Sequence, residues 1–402
     1  MTWFDDLHQR VADEGQRPHV LQAGDGDSGG GGRLLITEHG ARVLACELPG
    51  VDHNLFFHTD HTGEGGATGK VTGGDRLWIA PETAYFWPSL GDARRDPKGT
   101  AAVSEAIDPS RYYASSGSYY VWLLTNREHL GGMWEENRGK KLHDQRSGHS
   151  SFGEWYRHTR LAEFGSSSAG VEVLSFYASN EFKFRSASDG SVAGTWSILQ
   201  VPVGGTLICP TTINVAESDR YTAGEQSHCQ TPNAGPRSYY EPFGEKHVAI
   251  EDNCVRFLID GQRRTKMGVL PEHTTGRMGY YRPPGSVGQG DMSTLIFRSF
   301  GVFPGEPYCD LPINHPAHDA VAAGQDHPEM FRGDALQAYN DDGDAFPGTS
   351  FGEMEYHDPC VIAGRGPTSR TGSCVTHVMA GPDGAVRRVG RELLGVEVRG
   401  IG

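Results

Sequence analysis

Four groups of residues in this chain carry side chains of the kind that chemistry needs, and the densest is Phe351-Gly-Glu-Met-Glu-Tyr-His357. Read as a strand, its period of two sends Glu353, Glu355 and His357 to one face and Met354 and Tyr356 to the other. One face is then core, and the other is chemistry or solvent. Asp341 and Asp342, in the preceding Tyr339-Asn-Asp-Asp-Gly343, bring two more carboxylates within a hairpin's reach. Acid/base work on a polar substrate requires such a density of ionisable groups. A solvated edge-strand face is the competing reading of charges at alternate positions. Tyr339, Phe346, Phe351 and Tyr356 weigh against it, because sugars stack on aromatic faces while carboxylates bind their hydroxyls.

The second group is Gly73-Gly-Asp-Arg-Leu-Trp-Ile-Ala-Pro-Glu82, followed by Tyr85-Phe-Trp-Pro88. Arg76 and Glu82 suit a buried ion pair or a substrate clamp, with Trp78 beside them. The third is Asp52-His-Asn-Leu-Phe-Phe-His-Thr-Asp-His61, in which His53, His58 and His61 stand near Asp52 and Asp60. Its spacing matches no established metal-ligand pattern, so no metal is assigned, and one histidine, His53, is instead read as a proton donor or hydroxyl ligand. The fourth runs from Lys266 through His273, Arg277, Tyr280, Tyr281 and Arg282 to Tyr308-Cys-Asp310. On a regular strand Lys266 points away from the face of Thr265 and Met267. Arg277 and Arg282 with the tyrosines suit an anionic or polyhydroxylated ligand, or else surface cation–π packing.

The elements that must position these groups read mainly as strands: Arg33 to Thr37, Arg42 to Leu48, Tyr119 to Thr125, Val171 to Tyr177, Glu181 to Arg185, Ser191 to Pro202, Gly205 to Cys209, Val255 to Ile259, Arg264 to Val269, Thr294 to Val302 and Phe351 to His357. Asp260-Gly261 and Asp189-Gly190 occupy hairpin positions between such runs. Helical patterning is confined to Met1 to Glu14, with Trp3, Phe4, Leu7 and Val11 on one side, to His315 to Ala323, and to Arg127 to Leu130. The expected fold is all-β and mainly antiparallel, with a helix and glycine-rich connector over residues 1–32 and one large domain over 33–402. Long loops at Asp60 to Gly74, Asp92 to Pro109, Asn137 to Ser151 and Tyr221 to Glu245 suit walls around a site.

Composition narrows the function classes. With 402 residues the chain can bury a large core, and its 55 glycines and 23 prolines suit many strands joined by tight turns. A formal net charge of -15 repels phosphate backbones and anionic lipid surfaces, which argues against nucleic acid as a partner. Seven scattered cysteines without a CxxC pair read as buried thiols of a reducing compartment. The Gly24 to Gly32 connector lacks the Lys-Ser/Thr that grips phosphates, so no nucleotide and no other cofactor is implied. No run approaches the roughly 20 apolar residues that span a bilayer, and the N-terminus has no secretory pattern, so a soluble cytoplasmic protein is expected.

The His39-Gly-Ala-Arg42 hairpin, the Gly-Gly-Asp-Arg-Leu-Trp segment, the Trp196-Ser-Ile-Leu-Gln-Val-Pro-Val-Gly-Gly205 strand pair and the late carboxylate-bearing strand together resemble the galactose-mutarotase-like superfamily, in particular an uncharacterised bacterial branch related to aldose 1-epimerases. The resemblance spans about residues 30 to 381. It implies a β-supersandwich of large antiparallel sheets with a sugar site in the concave face. It further implies a late-strand glutamate as base, matched by Glu353 or Glu355, and a middle-strand histidine as acid on the ring oxygen. The middle of this chain offers His228, His247 and His273, none in the epimerase context, and the leading reading takes His273 or His53 as the acid. Arg76, Trp78, Glu82, Lys266, Arg277, Tyr281, Arg282, Asp310, Asp342 and His357 are the expected substrate-binding residues. The expected function is a carbohydrate-active protein of epimerase or mutarotase type, with a glycoside hydrolase or lyase and a non-catalytic sugar-binding protein as alternatives.

Overall fold

The computed structural model describes residues 2–23, 31–37, 40–59, 73–96, 113–117, 132–143, 150–164, 170–212, 236–240, 242–244, 246–286, 290–344 and 350–401. These residues form an all-β sandwich of two ten-stranded sheets in which every strand pairing is antiparallel. The first sheet is ordered β1 (Pro18–Gln22), β2 (Arg33–Thr37), β3 (Arg42–Glu47), β4 (Asp75–Ala80), β9 (Val192–Pro202), β18 (Phe351–His357), β17 (Leu336–Asn340), β14 (Thr265–Val269) and β11 (Arg237–Ser238), with β19 (Val361–Ile362) also on β9. The second is ordered β12 (Val248–Glu251), β13 (Cys254–Ile259), β10 (Gly205–Pro210), β15 (Arg277–Arg282), β16 (Met292–Phe300), β20 (Ser369–Pro382), β8 (Glu172–Ala187), β7 (Ser150–Leu161), β6 (Gly132–His143) and β5 (Tyr113–Gly117). Five helices accompany them among the described residues: α1 (Trp3–Asp13), α2 (Glu82–Tyr85), α3 (Leu90–Arg95), α4 (Pro316–Ala322) and α5 (Asp383–Leu394).

The main core lies between the sheets, where Leu199, Val201, Met354 and Tyr356 of the first meet Leu207, Phe257, Tyr280, Ile296 and Val378 of the second. Period-two alternation leaves each sheet a second face, and a helix packs on part of each. On the second sheet, α5 lays Val386, Val389 and Leu394 over Tyr281, Leu295 and Phe297. On the first sheet, α1 buries Phe4, Leu7 and Val11 against Leu35, Leu44 and Ala45. A capping box, Thr2 with Asp5, starts α1 at Trp3, within the expected Met1 to Glu14.

Two expected hairpins are sheet-to-sheet corners. Asp260-Gly261 joins β13 in the second sheet to β14 in the first, and Asp189-Gly190 joins β8 in the second to β9 in the first. Both glycines take the left-handed conformation that the turn requires, with φ of 71° and 83°. The turn residues fix the reversal, but nothing in them selects which strand the returning chain pairs with. The Trp196-to-Gly205 segment also parts, with β9 in the first sheet and β10 in the second. The runs predicted separately at Val171 to Tyr177 and Glu181 to Arg185 form one continuous strand, β8. Tyr119 to Thr125 and Arg127 to Leu130 lie outside the described residues.

Candidate functional site

The strand β18 is central rather than an edge: β9 flanks it on one side and β17 on the other, and all seven of its residues are buried. Met354 and Tyr356 enter the main core, so Glu353, Glu355 and His357 face the opposite side of the first sheet, as the alternation predicts. Register brings their neighbours onto that face. Glu353 stands between Gln200 and Tyr339, Glu355 between Ile198 and Gln337, and His357 beside Trp196. Arg76 and Trp78 of β4 lie across from Ile198 and Trp196, and Lys266 of β14 lies across from Tyr339.

Two cations and three carboxyl groups organise the centre. Glu353 Oε1 accepts hydrogen bonds from Arg76 Nη2 and from Gln200 Nε2, each at 2.9 Å. Lys266 Nζ donates to Glu82 Oε2 at 2.8 Å and lies 3.2 Å from Glu355 Oε2. Trp196 Nε1 donates to that same Glu355 oxygen at 2.7 Å, leaving Glu355 Oε1 buried without a partner among the described residues. The expected Arg76–Glu82 pair is therefore replaced by Arg76–Glu353 and Glu82–Lys266, a partnership between residues far apart in sequence.

Aromatic rings wall these charges. The Arg76 guanidinium lies 3.9 Å from the Trp78 ring centre, and Lys266 Nζ lies 4.5 Å from that of Trp196. Trp78 and Trp196 meet edge to face at 5.6 Å, and Trp196 stacks on His357 at 5.3 Å. Glu82 opens α2, whose preceding residue, Pro81, offers no side-chain cap. Asp310 supplies the missing acceptor from a distant loop, taking the Glu82 N–H at 2.6 Å, and its other oxygen accepts from Gln337 Nε2 at 2.7 Å. Tyr240 donates to Glu82 Oε1 at 3.2 Å. A rigid frame thus fixes Glu82 over Lys266.

Burial governs the protonation states. It pushes the Glu355 carboxyl up to about 8, with Glu353 and Glu82 adding to the rise and Lys266 opposing it. Glu353 also rises through burial, against the pull of Arg76 and Lys266. For Lys266, burial disfavours the charge, but Glu355, Glu82 and Tyr240 together outweigh it and hold the ammonium well above its ordinary value. His357 is driven well below its ordinary value by burial and then by Lys266, so its ring is neutral. Both its nitrogens lack hydrogen-bond partners among the described residues, and Asp310 Oδ2 stands off at 3.9 Å.

The expected site residues divide sharply. Arg76, Trp78, Glu82, Lys266, Asp310, Glu353, Glu355 and His357 come together on one face. Arg277 and Tyr281 lie on the second sheet beneath α5, where Arg277 donates to the Leu393 carbonyl and Tyr281 to Asp383. Arg282, on the same strand, donates to the Ser286 carbonyl. The alternation of β15 is real, but its strand belongs to the other sheet. Neither expected acid histidine reaches the cluster. His53 pairs with its neighbour Asp52 at 3.0 Å near the surface. His273 sits half-buried after β14, its pKa lowered by burial, where the charges acting on it are Glu272, Arg332 and Arg237. Asp342 accepts the Asp344 N–H in the turn after β17. His58 bridges to Gly73, while Asp60 and His61 lie outside the described residues.

Sequence reasoning passed over Gln200, Tyr239, Tyr240, Arg264 and Gln337. Gln200 could have been found, because Trp196, Ile198 and Gln200 follow the period of two on an expected strand. Tyr239 and Tyr240 carry no such signal, since they follow a two-residue strand. Tyr239 donates to Asp334 Oδ2 at 2.9 Å, and Arg237 holds Asp334 Oδ1 at 2.6 Å, bracing the Asp310 side of the site.

Comparison with known proteins adds little to this geometry. No family model matches the chain, and no curated protein matches it. Among solved structures, it is similar to one titled "Crystal Structure Analysis of HI1317", with 9% identity, 90% of this chain and 99% of that chain covered, and a TM-score of 0.35.

Proposed function

We propose that this protein is a carbohydrate-active enzyme of epimerase or mutarotase type that binds a sugar on the aromatic-walled face of the first sheet. The observation that carries the reading is the pattern of exposure on that face. Glu353 and Glu82 each keep 7% of their surface accessible and Trp78 keeps 8%, whereas Glu355 keeps none. A solvent-borne ligand therefore meets two carboxyl groups and the Trp78 indole first. Carboxylates ordered by Arg76 and Lys266 can accept hydrogen bonds from vicinal hydroxyls, and aromatic faces suit the apolar face of a pyranose.

In this reading Glu353 is the base that takes the anomeric hydroxyl proton, since Arg76 and Gln200 hold only its Oε1. As that proton leaves, the anomeric carbon–ring oxygen bond breaks and the ring oxygen takes a proton, giving the open-chain aldehyde. Rotation and the reverse steps yield the other anomer. The proton comes from the group centred on Lys266, in which Glu355, with its pKa near 8, holds a proton at neutral pH. No histidine is needed. NMR exchange spectroscopy on a panel of aldoses tests the reading; unaccelerated anomer exchange for every sugar rejects it.

A glycoside hydrolase also uses two carboxyl groups, held roughly 5–10 Å apart, and Glu353 and Glu82 are the accessible carboxyl groups of this face. Release of reducing ends from oligosaccharides, without anomer exchange of free aldoses, would select that reaction instead.

A further inference from the structure

Arg264 lies just ahead of β14, two residues before Lys266, so the period of two turns its side chain to the same face. Its guanidinium stands 4.1 Å from the Tyr240 ring centre and 5.8 Å from that of Tyr339. Its Nε donates to the Tyr339 hydroxyl at 3.1 Å. The carboxylates beyond these rings already have other partners: Tyr240 and Lys266 serve Glu82, and Tyr339 donates to Asp341 Oδ2 at 2.7 Å.

Arg264 therefore differs from the other two cations of the face. Arg76 is neutralised by Glu353 and Lys266 by Glu82 and Glu355, whereas Arg264 forms no ion pair among the described residues. Its two terminal nitrogens have no acceptor there, yet the rings hold the planar group in a fixed orientation. A guanidinium stays charged at any accessible pH, and its fork of N–H groups matches two oxygens of one carboxylate or phosphate.

We infer that the ligand of this face carries an anionic substituent, a carboxylate or a phosphate, which pairs with Arg264. This rests on the sugar reading and adds a specificity residue to it. The sugar ring lies over Glu353 and Glu82, and its charged group reaches past Tyr240 and Tyr339. Pairing across a part-buried, aromatic-lined rim is weakened less by salt than a fully exposed contact.

Calorimetric titration of the full chain with D-galactose, D-galacturonate and D-galactose 6-phosphate at low ionic strength tests this. At least one acidic sugar is expected to bind tenfold or more tightly than galactose. Arg264→Gln should shrink that preference by about 10- to 100-fold, the worth of a charge-assisted pair, with Arg264→Lys intermediate. Arg277→Gln, on the second sheet, should retain it. The two acidic sugars tell carboxylate from phosphate. Galactose binding as tightly as both acids, or an undiminished preference in Arg264→Gln, overturns the inference while sparing the sugar reading. Binding by none of the three overturns both.

Discussion

Lys266 Nζ lies 3.2 Å from Glu355 Oε2, and the two side chains reach each other across the intervening strand β17 with almost no exposure to water. Glu82 completes the group at 2.8 Å from the same nitrogen. One ammonium thus holds two carboxyl groups, and removing the cation alone strands the Glu82 carboxylate in the interior.

Lys266→Met should accordingly cost about 3–5 kcal/mol of folding stability, measured by urea denaturation at pH 7. Adding Glu82→Gln to it should recover about 1 kcal/mol or more, because the stranded carboxylate is then gone. Costs that simply add in the double variant would show that the two groups are not coupled.

Glu353→Gln keeps an oxygen for Arg76 and Gln200 but removes the basic carboxylate. Anomer exchange, if Glu353 is the base, should fall by about 100-fold or more. The urea midpoint should fall as well because the buried Arg76 charge is left unpaired, so exchange is read on protein that is still folded. An unaltered exchange rate in this variant would remove Glu353 from the chemistry.

Asp358 follows β18 and is fully buried, with Thr195 donating to its Oδ2 at 2.5 Å. Burial pushes its carboxyl up to about 7 from an ordinary 3.8, the Thr195 hydrogen bond opposing. A raised acid holds its proton longer in the folded chain than in the unfolded one. Its contribution to stability is therefore greatest below pH 4 and is lost as pH rises to about 7, by an amount on the order of 4 kcal/mol. Asp358→Asn should flatten the wild-type decline between those pH values in urea midpoints; parallel curves for the two proteins would contradict the assignment. Glu355 acts in the same direction up to about pH 8 and remains in both proteins.

Gly268 of β14 lets the Asp334 and Tyr239 side chains pass close to the strand. A Cβ built there would stand 2.0 Å from Asp334 Oδ2 and 2.8 Å from the Tyr239 ring. Gly268→Ala should cost about 1–3 kcal/mol in thermal or urea unfolding and, on the proposed function, weaken binding of the sugar through Gln337 and Asp310, which share the Tyr239 hydroxyl network. Unchanged stability would mean that the loop bearing Asp334 gives way freely.

Local pattern by itself determined much of this protein. The all-β class follows from repeated period-two runs and glycine turns, and β18 from Phe351 to His357 is legible residue by residue, including which side chains share a face. The buried face of α1 is equally plain, because Phe4, Leu7 and Val11 recur at helical spacing beside a capping box. What the sequence could not supply was pairing between strands. A left-handed glycine at 190 or 261 reverses the chain identically whether the next strand joins the same sheet or the opposite one. Hence Arg277, Tyr281 and Arg282, as rich in polar and aromatic groups as any stretch, fall on the far sheet, while Lys266, from the same run, falls at the centre. The ion pairs joining residue 76 to 353 and residue 82 to 266 exist only because distant strands are laid side by side, and the low-dielectric interior that raises Glu355 and neutralises His357 comes from packing those strands together.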